Sequence, residues 1–139
     1  MLPTGQQRRV QALWPADGAS TVEATGARVD AVPLVHRQTQ NLAYRIEMGG
    51  RVVMHLGDAE TTRENFERLA SKPAPDVLLA PFWWLLDGAA RTFLAERWKP
   101  KAIVAIHFGS NDAAVSAPRV RSELPAVWVA TTVGEARSY

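Results

Sequence analysis

This sequence predicts an α/β architecture, a mixed β-sheet with helices packed on it, and three observations carry that expectation. The front half is a succession of short, Val- and Leu-rich runs separated by turn residues. The back half alternates a segment of helical period with short, wholly apolar runs. The pair Gly49-Gly50 sits between two alternating runs, which is a hairpin signal. Strands first and helix–strand alternation afterwards point to helices laid against a mixed sheet.

Each element has its own warrant. Strands are expected over RVQALW (9–14), TVEA (21–24), RVDAVPLV (28–35), NLAYRIE (41–47) and RVVMHL (51–56), with turns at Asp17-Gly18, Gly26 and Gly49-Gly50. ETTRENFERLASK (60–72) puts Thr62, Phe66, Leu69 and Ala70 on one helical stripe and pairs Glu64 with Arg68 four residues on. DVLLAP (76–81) reads as a buried strand, and 88–98 as a helix stopped by Lys99-Pro100. KAIVAIH (101–107) is a second buried strand, DAAVSAPRVRSEL (112–124) a helix interrupted by its proline, and AVWVA (126–130) a last strand.

Length and composition set the outer bounds. A chain of 139 residues makes one domain, 1–139, with room for a single core. Its composition, 47% hydrophobic and 22% charged, is that of an ordinary soluble globular protein. Sixteen basic against 14 acidic residues leave a formal charge of only +2, with no basic cluster or RNA-binding motif, so no nucleic-acid partner is expected. The absence of cysteine excludes disulfides and thiolate metal sites. MLPTGQQRRVQALW lacks the form of a signal peptide, and the longest apolar run, VLLAPFWWLL (77–86), is too short to span a bilayer. The expectation is a cytoplasmic protein without a membrane partner.

The residues suited to chemistry fall at strand ends. His36 ends one expected strand, Asp58 follows another, and His107 ends a third. Strand ends fix backbone positions while loops leave access, a recurrent way to build a site. Asp58 reads in two ways, as the N-cap of the 60–72 helix or as an acid placed for chemistry. Strand parity puts His55 on the face away from Asp58 unless Gly57 makes a bulge, so His55 stands outside the expected site. Trp83-Trp84 reads either as packing or interface or as a wall for substrate.

PLVH (33–36) ahead of NLAYRIE, Gly49-Gly50 and RVVMHLGD, with a later strand ending in His107-Phe108-Gly109, resembles the C-terminal half of the metallo-β-lactamase superfamily. Its nearest flavour is the branch of zinc-dependent hydrolases that holds the ascorbate-6-phosphate lactonase-like proteins. The resemblance runs from about residue 28 to 130. It implies His36, Asp58 and His107 as metal ligands, with Asp58 in the place of the family's metal-bridging carboxylate. The family's His-x-His-x-Asp-His motif is absent, since the chain has only His36, His55 and His107. The implied fold is a truncated metallo-β-lactamase-like αββα half, either a piece of a longer protein or a self-sufficient short member.

Two imidazoles and a carboxylate suit a catalytic zinc site, and equally manganese or iron(II). The expected function is a small metal-dependent hydrolase that uses metal-activated water on ester or phosphoester bonds of a small-molecule substrate. Asp58 and His107 would be catalytic, Trp83 and Trp84 would bind substrate, and Glu60, Asp87 and Asp112 are placed to orient imidazoles. No cysteine and no Gly-x-Ser-x-Gly elbow offer a covalent nucleophile. The rival reading is a non-catalytic structural or interaction remnant of the same fold. A sheet without its partner layer exposes an apolar face, so a homodimer is expected, with Trp14, Phe82, Trp83, Trp84 and Trp128 as interface aromatics.

Overall fold

The computed structural model of the protein describes residues 21–139. The strand expected at 9–14, the turn at Asp17-Gly18 and Trp14 therefore lie outside the described residues. Strands β1 (Thr21–Ala24), β2 (Ala27–His36), β3 (Thr39–Met48) and β4 (Arg51–His55) form an antiparallel meander. Gly49 and Gly50, at φ 58° and 74°, close the β3–β4 hairpin in the left-handed conformation that such turns demand. From β4 onward the pairing is parallel, through β5 (Val77–Pro81), β6 (Ala102–Ile106) and β7 (Trp128–Val129). Spatial order follows chain order, β1-β2-β3-β4-β5-β6-β7.

Helices fill the parallel connections. Between β4 and β5 lies α1 (Arg63–Ala70), and between β5 and β6 lie α2 (Phe82–Leu86) and α3 (Gly88–Thr92). A π-helical segment, Phe93–Trp98, continues α3 and stops at left-handed Lys99. Helix α4 (Ser110–Glu123) links β6 to β7. The sequence missed α2, because five consecutive apolar residues show no helical period. It also placed a break in the last helix that the structure lacks. Pro118 and Ala114 are both exposed, so the proline sits on the solvent side of the helix, where losing one helical hydrogen bond costs least.

The helices bury one face of the sheet. Met54, Leu78, Ala80, Ala105 and Val129 meet Leu69, Trp84, Leu85, Phe93, Trp98 and Val120 in one core. Trp84 is wholly buried, and truncating such a side chain to alanine costs about 3–5 kcal/mol. The opposite face carries two cross-strand rows. One is Ala31, Tyr44, His55, Leu79, Val104 and Trp128; the other is Val29, Ile46, Val53, Val77 and Ala102. Part of this face forms a groove of about 580 Å³ between Val53, Leu79, Val104 and Trp128 and the C-terminal Arg137 and Tyr139. Of the expected interface aromatics, Trp128 lines that face. Trp84 is inside the helix-side core instead, and Phe82 and Trp83 pack against it. No helix among the described residues is long and apolar enough to cross a membrane.

One buried polar side chain ties the two halves of the fold. Asn65, on α1, accepts from Val35 N at 2.7 Å and donates Nδ2 to the carbonyls of Val35, at 3.0 Å, and Glu60, at 2.9 Å. Its amide offers β2 the donor and acceptor of a further strand, which holds the end of β2 against the helix layer. Asn65→Ala strands the Val35 N–H and the Glu60 carbonyl, while the Val35 carbonyl keeps the Glu60 N–H at 3.1 Å, and we expect a loss of about 2–3 kcal/mol. The urea midpoint of unfolding measures it; an unchanged midpoint would show that water replaces the clasp.

Candidate functional site

Strands β2 and β4 both run antiparallel to β3, and β5 and β6 run parallel to β4. The carboxyl ends of β2, β4, β5 and β6 therefore share one edge of the sheet, and His36, Asp58 and His107 all belong to it. In open α/β sheets this is the edge that binds ligands.

The chain leaves β4 by a sharp turn. Gly57 has φ +60°, and a Cβ there would stand 2.5 Å from Asn41 Oδ1 and 3.0 Å from the Leu42 carbonyl oxygen. Only glycine fits both the backbone and the space. The turn ends the strand alternation before Asp58, so parity ceases to separate Asp58 from His55. His55 Nδ1 accepts the Gly57 N–H at 2.9 Å, which leaves the ring proton on Nε2 when the ring is neutral. His55 belongs to the site's surroundings after all, and sequence parity alone left it out.

Asp58 swings across the end of β5 to meet His107, whose Nε2 contacts Asp58 Oδ1 directly. Both side chains are about half exposed, 49% and 45%, so solvent and small molecules reach them. Asp58 is not the helix cap: Thr62 caps α1, accepting from Asn65 N at 3.2 Å. His107 itself has φ +71°, a left-handed backbone unusual for a residue with a side chain. Aromatic contacts hold its loop. The Trp83 ring meets the His107 ring edge-on at 4.9 Å, and Phe108 stacks on Phe82 at 5.1 Å. Trp83 Nε1 and Trp84 Nε1 both donate to the Ala59 carbonyl, at 3.0 and 2.7 Å, fixing the residue after Asp58. Of the two expected substrate walls, Trp84 is fully buried and reaches no substrate, while Trp83 stands against the histidine.

The remaining expected residues divide. His36 lies on the same edge, half-buried, with its Nδ1 buried and without a hydrogen-bond partner among the described residues. Glu60, expected to orient an imidazole, accepts from Arg37 N at 2.8 Å and so anchors the turn after His36. Asp87 caps α3 through Ala90 N at 2.8 Å, and Asp112 accepts from Gly109 N at 3.3 Å. All three carboxylates serve backbone amides.

The donor chemistry suits a divalent cation: a carboxylate and an imidazole in contact, and a second imidazole with a free buried nitrogen on the same edge. The number falls short. A catalytic zinc site takes three protein donors, and among the described residues no three His, Asp or Glu side chains gather closely enough to hold one ion. Asp58 and His107 are the two that converge.

The fold and this edge define an α/β protein with a carboxylate–imidazole pair at the carboxyl ends of parallel strands. The chain belongs to the β-lactamase superfamily, whose domain matches residues 13–107. Two solved structures share its fold. One is a candidate Zn-dependent hydrolase of the metallo-β-lactamase superfamily from Thermotoga maritima, with TM-score 0.50 and 23% identity, covering 66% of this chain and 47% of its own. The other is the metallo-β-lactamase fold protein YhfI from Bacillus subtilis, with TM-score 0.53 and 15% identity, covering 81% of this chain and 50% of its own. The chain thus spans about half the length of the structures it matches. None of the curated protein sequences compared with it matches.

His55 gives the site's surroundings a pH signature. Burial lowers its pKa below the ordinary imidazole value, the charge of His107 lowers it further, and Asp58 partly opposes both. The unfolded chain therefore binds this proton more tightly than the folded one. Its contribution to stability is complete above the ordinary value of 6.5 and is lost as pH falls through the lowered folded value. We expect the thermal midpoint to fall as the pH drops from 6.5 towards the lowered folded value, and His55→Gln to flatten this part of the profile. An identical pH slope in the variant would assign the effect elsewhere.

Proposed function

We propose that the protein is a metal-dependent hydrolase acting on ester or phosphoester bonds of a small-molecule substrate. The observation that carries the reading is the direct contact of Asp58 with His107 across the end of β5, within a chain of the β-lactamase superfamily. The name of the Thermotoga maritima neighbour, a candidate Zn-dependent hydrolase, supports the same class. In this reading Asp58 and His107, the two donors that converge, would hold a divalent cation, with His36 on the same edge as the third donor that the family resemblance implies; zinc suits the donor type, and manganese or iron(II) the same chemistry. The chemistry such an ion would supply, if bound, is activation of water for hydrolysis.

The chain's own residues have definite tasks. The Asp58 carboxylate orients the His107 imidazole; with no ion bound, either group could instead take a proton from water and return it to a leaving group. Trp83, pinned through its Nε1, gives His107 a rigid apolar flank and lines the approach to it. The preference for phosphoesters among possible substrates rests on family analogy.

The experiment uses bis(p-nitrophenyl) phosphate and p-nitrophenyl acetate, with elemental analysis of the purified protein. We expect bound metal, turnover lost on chelation and restored by zinc or manganese, and a loss of at least ~100-fold in Asp58→Asn and His107→Ala. Turnover indifferent to chelation and to His107→Ala rules out the metal mechanism. Folded protein without any turnover favours the rival reading, a non-catalytic interaction domain.

The sheet face that no helix covers among the described residues belongs to the same proposal. Its two cross-strand rows, apolar but for His55, cross up to six strands, roughly 25 Å at the usual strand spacing, and most of their side chains are only half-buried, a patch that monomers rarely leave open. A second copy of the chain, related by a two-fold axis, is the proposed occupant, with Trp128 in the interface. Sedimentation should give twice the 15.3 kDa chain mass, and Leu79→Lys should return it to one chain. A single-chain mass for the unaltered protein at micromolar concentration overturns the dimer.

A further inference from the structure

The backbone ladder between β3 and β4 ends at Tyr44 and His55. Continued in the same register, it would set Asn41 opposite Asp58. The backbones do not pair there, and the Asn41 side chain takes over. Its Nδ2 donates to the Leu56 carbonyl at 3.1 Å, and its Oδ1 accepts the Asp58 N–H at 2.9 Å. The two bonds have opposite polarity, so the amide has one orientation and cannot flip without losing both. Asn41 therefore spans the Leu56–Gly57–Asp58 turn as a strap, holding the residue before glycine and the residue after it.

The steric side of the turn agrees. Asn41 Oδ1 is the atom that a Cβ on Gly57 would strike first, at 2.5 Å. The strap is drawn so close that only glycine passes beneath it. On the far side, the two indoles that donate to Ala59 hold the following carbonyl. Asp58 thus has its N–H fixed by Asn41 and its next residue fixed by Trp83 and Trp84, while its carboxylate is left free to meet His107.

We infer that Asn41 is a positioning residue for Asp58, setting the backbone from which the carboxylate reaches His107. The inference rests on the hydrolytic reading of the Asp58–His107 pair. Asn41 is not itself catalytic; it acts through Asp58, as residues behind the reacting groups of metal and acid–base sites commonly do, with effects of about 10–100-fold.

The test compares Asn41→Ala, Asp58→Asn and the double variant on bis(p-nitrophenyl) phosphate with added zinc or manganese. Circular dichroism confirms folding, and NMR follows exchange of the Asp58 amide. We expect Asn41→Ala to lower kcat about 10–100-fold with KM unchanged and to speed Asp58 amide exchange at least ~10-fold. The double variant should be no slower than Asp58→Asn alone, since both remove one function. Should Asn41→Ala not fold, Asn41→Ser keeps one donor–acceptor group and takes the same readouts. A folded Asn41 variant with unaltered kcat and unaltered Asp58 exchange overturns the inference, and so does a loss that simply adds to that of Asp58→Asn. If Asp58→Asn itself leaves turnover unchanged, the hydrolytic reading falls and this inference falls with it. The two failures are therefore distinguishable.

Discussion

The point at which β4 stops being a strand governs everything at the site edge. Up to His55 the chain is locked into a ladder with β3 and a parallel ladder with β5. One residue later Leu56 still donates to the Leu79 carbonyl at 3.1 Å and buries its side chain completely in the helix-side core. At Gly57 the backbone turns left-handed, and the next side chain points along the edge instead of into either face. Had the strand run on, alternation would have set Asp58 on the face of Met54 and Leu56, inside an apolar core. An isolated carboxylate there would lose its hydration without gaining a partner. The turn keeps Asp58 half in water and within reach of His107, two strands away.

The reach across β5 depends on how β5 itself ends. Pro81 completes the strand, and α2 begins with the next residue, so β5 sends no long loop over the edge. The crossing of Asp58 to His107 passes over this short helix. Trp83 and Trp84 rise from it to bind the Ala59 carbonyl, and Phe82 meets Phe108. One five-residue helix thus fixes both approaching loops. Such a short helix has little stability of its own, and Trp84 and Leu85 in the core supply what holds it.

This division explains what the sequence made legible. Strands β1 to β6 and α1 carry their own periodicity and turn chemistry, so their positions and the mixed sheet could be read directly. The shared edge of His36, Asp58 and His107 follows from strand ends and was legible too. Asn41, His55 and the double acceptor Ala59 were not. Asn41 sits in a polar run at the start of β3 and gains its meaning from register, fifteen to seventeen residues away in the chain. His55 was excluded by an alternation that Gly57 interrupts, and the glycine alone did not say whether the strand bulged, turned or continued. Trp83 and Trp84 share the Ala59 carbonyl but differ in burial: Trp84 is buried at 0% exposure while Trp83 also flanks a histidine. The matched structures are about twice as long as the stretch they share with this chain, and no pattern within it reveals what lies against the uncovered sheet face.

Three strands on this edge are followed by left-handed backbone, at Arg37, Gly57 and His107, and the difference between Gly57 and His107 is informative. At Gly57 the conformation costs little, and the space forbids any side chain. At His107 a glycine would relieve the backbone, yet an imidazole is present and turned onto Asp58. Holding a residue with a side chain in that region costs on the order of 1–3 kcal/mol and persists only where the surroundings dictate it. The surroundings here are identifiable: Trp83 against the ring, Phe108 stacked on Phe82 immediately after it, and Asp58 at its Nε2. The left-handed backbone at His107 is thus held by the same contacts that bring its imidazole onto Asp58.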